Sequence, residues 1–196
     1  MPFKQVTAAA HELRERLQAL EAVAEVLRET SRGSSGALAD LLQKQPALLA
    51  LFNWGVLVTD RNGTALVSLP ESMGRQGVNY GEVESIRLAV SEGHAQIGRA
   101  LFGKTTGKPV IPLVVPVHDR SGQVTGTLIG LTNLAAANFL DDISSNRFGR
   151  QGGYLITDPE QREAVLWYTL HPEVWGQGFT TEAARAVVDF GGCASR

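Results

Sequence analysis

The sequence predicts an α+β fold in which a long N-terminal helix precedes an antiparallel sheet. Two observations carry this prediction. Apolar residues recur at steps of three and four over residues 6–27, which is the periodicity of an amphipathic helix. Farther along, two pairs of β-branched segments are each joined by an Asp-Arg-x-Gly turn, which is the pattern of a β-hairpin. Two hairpins with the same turn chemistry indicate one antiparallel sheet.

The N-terminal helix presents one apolar stripe, and charged residues occupy its other faces. The stripe consists of Val6, Ala10, Leu13, Leu17, Leu20, Ala24 and Leu27. We expect a docking or coiled-coil helix, and a homodimer through Leu13, Leu17 and Leu20 is the favoured oligomer. The segment SRGSSG (31–36) ends this helix, and the residues after it predict one or two shorter helices interrupted at Pro46.

The two hairpins begin at Trp54 (WGVLVTDRNGTALVSLP) and Val110 (VIPLVVPVHDRSGQVTGTLIGLTNL). Between them we expect a short helix at about residues 82–91 and then a Gly-rich extended stretch. Asp60 and Asp119 each open a turn that a glycine closes. We therefore interpret both as turn residues rather than catalytic carboxylates.

Composition excludes several classes of function. Charged residues make up 19% of the chain and the formal net charge is −2, which argues against a broad nucleic-acid-binding surface. The single cysteine, Cys193, allows neither an intrachain disulfide nor a cysteine-based metal site. His94 and His118 have no partner at metal-ligand spacing, so we expect turn or surface histidines and no metal. No segment has the apolar length of a signal peptide or a membrane span, and we expect a soluble chain as written.

No catalytic constellation is evident in the first four-fifths of the chain. The sequence shows neither a nucleophile with a neighbouring base nor a pair of carboxylates suited to acid–base chemistry. We therefore expect ligand binding rather than catalysis, with no catalytic residues, no cofactor and a protein that is not an enzyme.

The order of these elements resembles the Cache sensor domain over residues 6–158. The stretch TTGKPVIPLVVPVHDRSGQVTGTLIGLTNL is similar to the family's pattern of a Thr-Gly-x-Pro-Val strand, an Asp-x-x-Gly turn and a Gly-rich final strand. The resemblance implies a PAS-like five-stranded antiparallel sheet with a small-molecule pocket on one face. A GAF- or profilin-like sheet is the structural alternative, and it would lack the long leading helix.

The Cache resemblance also implies a function. Such domains are extracytoplasmic sensors of chemoreceptors, sensor kinases and cyclic-dinucleotide enzymes, and they bind amino acids, carboxylates or amines. We expect such a bacterial signal-transduction module here without its membrane anchor or output domain. Its location would be periplasmic if the chain is a fragment of a membrane-anchored sensor.

Four polar residues are the expected ligand contacts of that pocket: Tyr80, Arg87, Arg99 and Asn133. Arginine suits the bidentate recognition of a carboxylate. For Arg87, on a short exposed helix, the alternative is a solvated surface position. Asn133 stands where the family often has an acidic residue, which weighs against an amine-binding contact.

The C-terminal segment AVLWYTLHPEVWGQGFTTEAARAVVDFG resembles the cofactor-binding segment of the GNAT acetyltransferase superfamily. The similarity rests on Pro172, Trp175, Gly176, Gln177, Gly178, Thr181, Glu182 and Ala183. It implies that the amides of residues 177–180 hold the pyrophosphate of acetyl-CoA at a helix N-terminus. The cofactor-binding residues on this alternative are Gly176, Gln177, Gly178 and Thr180, and the function is acetyl-CoA-dependent N-acetyl transfer.

Length argues against that alternative, because only GGCASR follows the helix after the loop. We expect the chain not to be a working acetyltransferase. Residues 154–157 and 164–169 also fit a third hairpin, which could begin a second Cache module. A fusion, a frameshift or an assembly artefact would each produce such a junction. The predicted division is therefore N-terminal helices at 1–53, the sheet domain at 54–158, and a partial GNAT-like segment or second module at 159–196.

Overall fold

The computed structural model describes residues 3–30, 34–138, 153–158 and 163–168. It confirms the α+β fold with an antiparallel sheet behind a long N-terminal helix. The chain divides into two compact units, of which one is His11–Phe139 and the other combines Met1–Ala10 with Leu140–Arg196. The large sheet belongs to the first unit.

Three helices precede the sheet: α1 (Phe3–Thr30), α2 (Ser35–Gln43) and α3 (Pro46–Leu51). Ser34 caps α2, since its hydroxyl accepts a hydrogen bond from the backbone of Ala37 at 3.4 Å. Pro46 lies at the start of α3, where its missing N–H costs no intrahelical bond. Pro46 therefore begins a helix, as the sequence allowed.

Helix α1 packs within its own chain along the predicted stripe. Its buried apolar residues are Leu13, Leu20, Val23, Ala24 and Leu27. Arg16, which we expected on a charged face, is instead buried, and its Nε donates to the carbonyl oxygen of Leu51 at 3.3 Å. Near the other end, Nε of Arg28 donates to the carbonyl oxygen of Asp119 at 3.1 Å. Because Leu13 and Leu20 are buried here, a dimer through these two side chains stays a prediction that must compete with this packing.

Six strands form the large sheet: β1 (Val56–Asp60), β2 (Ala65–Leu69), β3 (Gln96–Ile97), β4 (Leu101–Phe102), β5 (Pro109–His118) and β6 (Val124–Asn133). All pairings are antiparallel, in the order β2-β1-β6-β5, and both β3 and β4 pair with the outer side of β5. If β3 and β4 are taken as one interrupted edge strand, the sheet has the five strands that the Cache resemblance implied.

Prolines in β5 explain the split. The carbonyl oxygen of Pro112 accepts a hydrogen bond from Gly98, so the nitrogen of Pro112 also faces this edge and has no hydrogen to donate. A side chain at Gly98 would place its Cβ 2.5 Å from Cγ of Pro112. The edge strand is therefore interrupted between Ile97 and Leu101.

The two Asp-Arg-x-Gly turns have the same hydrogen-bond pattern, and the turn roles of Asp60 and Asp119 are confirmed. One carboxylate oxygen of Asp60 accepts from the backbone of Asn62 and Thr64, at 2.9 and 2.8 Å. Asp119 does the same for Ser121 and Gln123. Both closing glycines adopt positive φ angles, as this turn requires.

The two faces of the sheet differ in what covers them. On one face a Cβ at Gly130 would meet the ring of Phe52 at 2.3 Å, so the residues after α3 lie directly on β6. The other face packs against α4 (Glu84–Glu92), which occupies most of the predicted 82–91. The buried residues of this sheet face and of α4 form one apolar cluster: Leu57, Ala65, Ile86, Ala89, Val114 and Ile129.

The second unit contains a described hairpin, β7 (Gly153–Asp158) and β8 (Glu163–Tyr168). The strands pair antiparallel, with Gly153 opposite Tyr168 and Asp158 opposite Glu163. The third hairpin suggested by the sequence is thus present. Among the helices that the structure describes, none combines the length and apolarity needed to cross a membrane.

Candidate functional site

A cavity lies between α4, the β4–β5 loop and the neighbouring face of the sheet. This α4 cavity holds about 450 Å³ of space between protein atoms, part of it open to solvent. Its apolar walls include Leu57, Val83, Ile86, Val110, Ile129 and Leu131. Its polar residues are Arg75, Tyr80, Lys104, Thr105 and Thr106.

The loop between β2 and α4 positions Arg75. A short 3₁₀ helix (Glu71–Met73) ends at Gly74, which adopts the left-handed conformation. Arg75 then opens a turn closed by a 3.0 Å bond from the backbone N–H of Val78 to its carbonyl oxygen. Gly77 supplies the positive φ that the third position of this turn requires, and its N–H bonds back to Ala65 of β2. The backbone of Arg75 is therefore fixed to the sheet.

The guanidinium of Arg75 is buried and only partly hydrogen-bonded. The residue is 3% exposed, and its Nη2 donates to the carbonyl oxygen of Trp54 at 2.7 Å. Nη1 is buried and has no hydrogen-bond partner among the residues that the structure describes. Burial lowers the pKa of Arg75, while the nearby Tyr80 acts in the opposite direction. Because arginine starts from so high a pKa, the group remains a cation at neutral pH.

Tyr80 and Lys104 lie together at the cavity. Burial raises the pKa of Tyr80, and Arg75, a hydrogen bond with Thr105 and the charge of Lys104 each oppose that rise. Nζ of Lys104 is 5.7 Å from the centre of the Tyr80 ring, and it donates to the carbonyl oxygen of Asn79 at 2.7 Å. Tyr80 is held in turn through its N–H, which donates to Gly63 at 2.8 Å.

The loop between β4 and β5 closes the cavity on one side. Gly103 begins it, and bonds from its N–H to Lys108 and from the N–H of Gly107 to its carbonyl oxygen draw the loop tight, at 2.9 and 2.7 Å. A Cβ at Gly103 would lie 2.9 Å from Oγ1 of Thr106. That Oγ1 is buried and, within the described part of the chain, unpartnered.

Of the four predicted ligand contacts, the structure places Tyr80 on the wall of the α4 cavity. Arg87 and Arg99 are exposed, and neither lines the cavity. Nε of Arg99 lies 4.0 Å from a carboxylate oxygen of Glu84, with both side chains largely in solvent. Ligand contact by these residues stays a prediction.

Asn133 is buried, and its side-chain oxygen and both of its backbone polar groups are hydrogen-bonded within the chain. Its side-chain oxygen accepts from the N–H of Ala135 at 2.9 Å. Its own N–H donates to the side chain of Asn53 at 2.8 Å, and Asn53 donates back to its carbonyl oxygen at 3.1 Å. These bonds give Asn133 a role in holding the end of β6, and it does not line the α4 cavity.

Arg75, Trp54, Lys104 and Thr106 were not among the predicted contacts. Arg75 lies between two glycines in GRQG, a segment too irregular for periodicity to indicate which way its side chain points. Lys104 and Thr106 lie within TTGKP or just before it, in the stretch that carried the family resemblance. A charged residue in a Gly-rich loop between a strand and a helix was the available signal.

A second, wider groove runs beside α1 and contains the two histidines considered as metal ligands. His94 and His118 line it together with Glu21, Glu25 and Pro116. Across the described residues, no three His, Cys, Asp or Glu side chains come together as metal ligands would. The cofactor residues of the alternative function, Gly176, Gln177, Gly178 and Thr180, lie outside the described residues.

Solved structures with a similar fold are ligand-binding domains of bacterial receptors. The ligand-binding domain of the Pseudomonas fluorescens chemoreceptor CtaA, in complex with L-serine, has a TM-score of 0.65 and 20% identity, over 86% of this chain and 68% of that chain. The corresponding domain of the Pseudomonas aeruginosa amino acid chemoreceptor PctB, in complex with L-Arg, gives 0.62 and 20%, over 80% and 68%. An extracellular ligand binding receptor from Desulfohalobium retbaense gives 0.58 and 14%, over 87% of this chain.

These likenesses confirm the fold that the Cache resemblance implied. The chain spans 37% of the length of the Desulfohalobium receptor and about two thirds of the two chemoreceptor domains. At these identities the comparison establishes architecture alone. The comparison with curated proteins found no match.

A family model for the acetyltransferase (GNAT) domain matches residues 123–193. This finding corrects our expectation that the chain is not an enzyme, which was wrong. We assigned residues 6–158 to the sensor-like fold and placed the GNAT resemblance from about residue 164, whereas the match begins at residue 123. Its first part falls on β6, which lies between β1 and β5 in the large sheet. One strand is thus common to the sensor-like fold and to the acetyltransferase match.

Proposed function

We propose that the unit His11–Phe139 is a sensor module that binds a small molecule in the α4 cavity. The observation that carries this proposal is the buried Arg75, which lines an apolar cavity and whose Nη1 is buried without a partner among the described residues. A buried charged donor left unpaired costs free energy, and a ligand acceptor offsets that cost.

The similar solved structures support the same function. The solved domains from Pseudomonas are complexes with L-serine, with L-Arg and, in the case of PctC, with GABA. We propose for this chain a corresponding role in a bacterial signal-transduction protein, as part of a chemoreceptor, a sensor kinase or a cyclic-dinucleotide enzyme. An extracytoplasmic location and a homodimer through α1 belong to this proposal.

A ligand screen on the whole purified chain tests it. Amino acids, organic acids and amines are tested by thermal shift, because a molecule that binds only the folded state raises the unfolding midpoint. Isothermal titration calorimetry then measures the affinity of each hit. The expected result is at least one small metabolite that binds with one-to-one stoichiometry.

A matched pair of variants ties that binding to the cavity. Leu131 is half-buried and lines the cavity, whereas Leu88 is half-buried on α4 and does not. We expect Leu131→Trp to fill the cavity and abolish ligand binding, and Leu88→Trp to leave it intact. Equal loss in both variants, or no hit in the screen, contradicts a binding site in the α4 cavity.

A second candidate function is acetyl-CoA-dependent acyl transfer, and the GNAT match favours it. On this proposal the amides of residues 177–180 hold the pyrophosphate of acetyl-CoA, with Gly176 and Gly178 allowing its close approach. Acetyl transfer by the whole chain, measured with a panel of amine acceptors, tests this function. We expect Gly176→Trp to abolish it and Arg75→Gln to leave it unchanged, and absence of acetyl-CoA binding contradicts it.

A further inference from the structure

The polar groups of the α4 cavity define the chemical class of its ligand. We propose that the cavity takes a carboxylate with an apolar body and no ammonium group, held by Nη1 of Arg75 and Oγ1 of Thr106. This inference rests on the ligand-binding function proposed above, and it departs from the amino acids bound by the similar solved structures.

Arg75 lines the cavity, and its guanidinium is held in one orientation. Its bond from Nη2 to the carbonyl oxygen of Trp54 orients the planar guanidinium, and the turn that Gly77 completes anchors its backbone. Nη1 is then left buried, cationic and unpartnered among the described residues. A carboxylate oxygen is the acceptor that such a group binds most strongly.

Thr106 supplies a second group at the same cavity. Its Oγ1 is buried and also has no partner within the described ranges. A hydroxyl can rotate to donate to the second oxygen of a carboxylate. Arg75 and Thr106 both line this apolar cavity, and each has a buried polar atom without a partner in the described part of the chain. Together they suit one anionic headgroup.

The charges at the cavity disfavour an ammonium group. The charged side chains among its described lining residues are Arg75 and Lys104, and both are cations. Glu82 lies next to this wall, but its carboxylate pairs with Nζ of Lys104 at 2.8 Å. Since that pair offsets the charge of Lys104, a ligand ammonium would leave water to lie near the like charge of Arg75, which is unfavourable. An amino acid would gain binding free energy from its carboxylate, but the cost of placing its ammonium group near Arg75 would offset that gain.

The remaining walls suit a hydrocarbon body. Leu57, Ile86, Val110, Ile129 and Leu131 come from β1, α4, β5 and β6, and they converge on the space beside Arg75. An apolar chain placed there is removed from water without a new polar requirement. The ligand class is therefore a branched-chain or aromatic monocarboxylate.

Matched ligands separate the headgroup from the body. Three sets share one carbon skeleton each: 3-methylbutyrate, valine and isobutylamine; 4-methylpentanoate, leucine and 3-methylbutylamine; 3-phenylpropionate, phenylalanine and 2-phenylethylamine. Calorimetric titration of the whole chain measures each affinity. We expect the carboxylate of at least one set to bind at least about 10-fold more tightly than its amino acid and its amine.

Variants then test the two named atoms. Arg75→Gln is expected to weaken binding of the carboxylate about 10- to 100-fold, because a hydrogen bond to a charged group is lost. Arg61→Gln is the matched control, since Arg61 is exposed and does not line the cavity, and the affinity of this variant should equal that of the wild type. Thr106→Val is a milder variant, expected to weaken binding about 5-fold. It keeps the test available if circular dichroism shows that Arg75→Gln does not fold.

The outcomes distinguish this inference from the function on which it rests. An amino acid or amine that binds as tightly as its matched carboxylate overturns the inference and leaves the sensor function standing. So does a carboxylate whose affinity is unchanged in both Arg75→Gln and Thr106→Val. If no molecule of these sets or of the wider screen binds, the sensor function itself fails.

Discussion

Two buried arginines, one in α1 and one at the α4 cavity, differ in how far the chain itself satisfies their hydrogen-bond donors. Arg16 is 8% exposed and Arg75 is 3% exposed. Arg16 donates to the carbonyl oxygens of Glu12 and Leu51 and forms an ion pair with the Glu12 carboxylate. Arg75 has one bond, to Trp54, and a buried Nη1 without a partner among the described residues.

The difference between the two arginines lies in the use of their donors. At Arg16 the positive charge faces an acceptor of opposite charge, so burial is compensated within the chain. At Arg75 no acidic group among the described lining residues offsets the charge. The folded chain therefore does not compensate the free-energy cost of burying the charge of Arg75. An uncompensated cost of this kind is typical of functional sites.

The largest expected effect is the loss of stability in Arg16→Met. The variant keeps a side chain of similar length and removes two bonds to backbone oxygens and one ion pair. We expect the free energy of unfolding to fall by about 2 kcal/mol, measured by urea denaturation. Arg14→Met, an exposed neighbour on the same helix, should change it by less than about 0.5 kcal/mol. Equal losses in the two variants would mean that the partners of Arg16 contribute nothing.

The companion prediction concerns Arg75→Met without ligand. Replacing a half-satisfied buried cation by an apolar side chain removes a desolvation cost along with one hydrogen bond. We expect the free energy of unfolding to change by less than about 1 kcal/mol, in either direction, and the ligand-induced thermal shift to disappear. A destabilisation as large as that of Arg16→Met would contradict the contrast between the two arginines.

The sequence predicted the fold well because its signals are local. The apolar stripe of α1 and the two Asp-Arg-x-Gly turns depend on neighbours along the chain. The helix is present, and in both turns the Asp carboxylate accepts hydrogen bonds from the backbone. The split of the edge strand was missed because it depends on which side of β5 Pro112 faces. That direction is set by pairing with Gly98, not by local pattern.

The site was harder to predict because its residues come from separate loops. Tyr80 was predicted as a ligand contact, and it lines the cavity. Arg75 and Thr106 reach the same cavity only when β2, α4 and β5 are assembled. The sequence also does not distinguish the roles of Arg16 and Arg75, because these roles depend on which residues lie near each arginine in the folded chain. The expectation that the chain is not an enzyme was wrong for a related reason: the GNAT match includes residues that were assigned wholly to the sensor-like fold.

A smaller effect concerns the pH dependence of stability through Tyr80, the neighbour of Arg75. Its pKa in the folded state is raised by burial above the ordinary value near 10. As pH rises through 10, the unfolded chain loses the phenol proton while the folded chain retains it, so the unfolded state gains stability. We expect the wild type to lose free energy of unfolding relative to Tyr80→Phe above pH 10, measured by urea denaturation from pH 8 to 11. Parallel curves for the two proteins would contradict the raised pKa.

The smallest expected effect is at Arg99, a third arginine that sharpens the contrast from the solvent side. Its side chain is 78% exposed, and the 4.0 Å ion pair with Glu84 is screened by water. We expect Arg99→Gln to change the free energy of unfolding by less than about 0.5 kcal/mol and to leave carboxylate affinity unchanged. Calorimetric affinities of Arg99→Gln and Arg75→Gln, measured side by side, decide whether the ligand lies at Arg99 or at Arg75. A 10-fold loss at Arg99 with none at Arg75 would favour the contact predicted from sequence. The opposite result would mean that burial with an unused donor, rather than charge alone, marks the binding arginine.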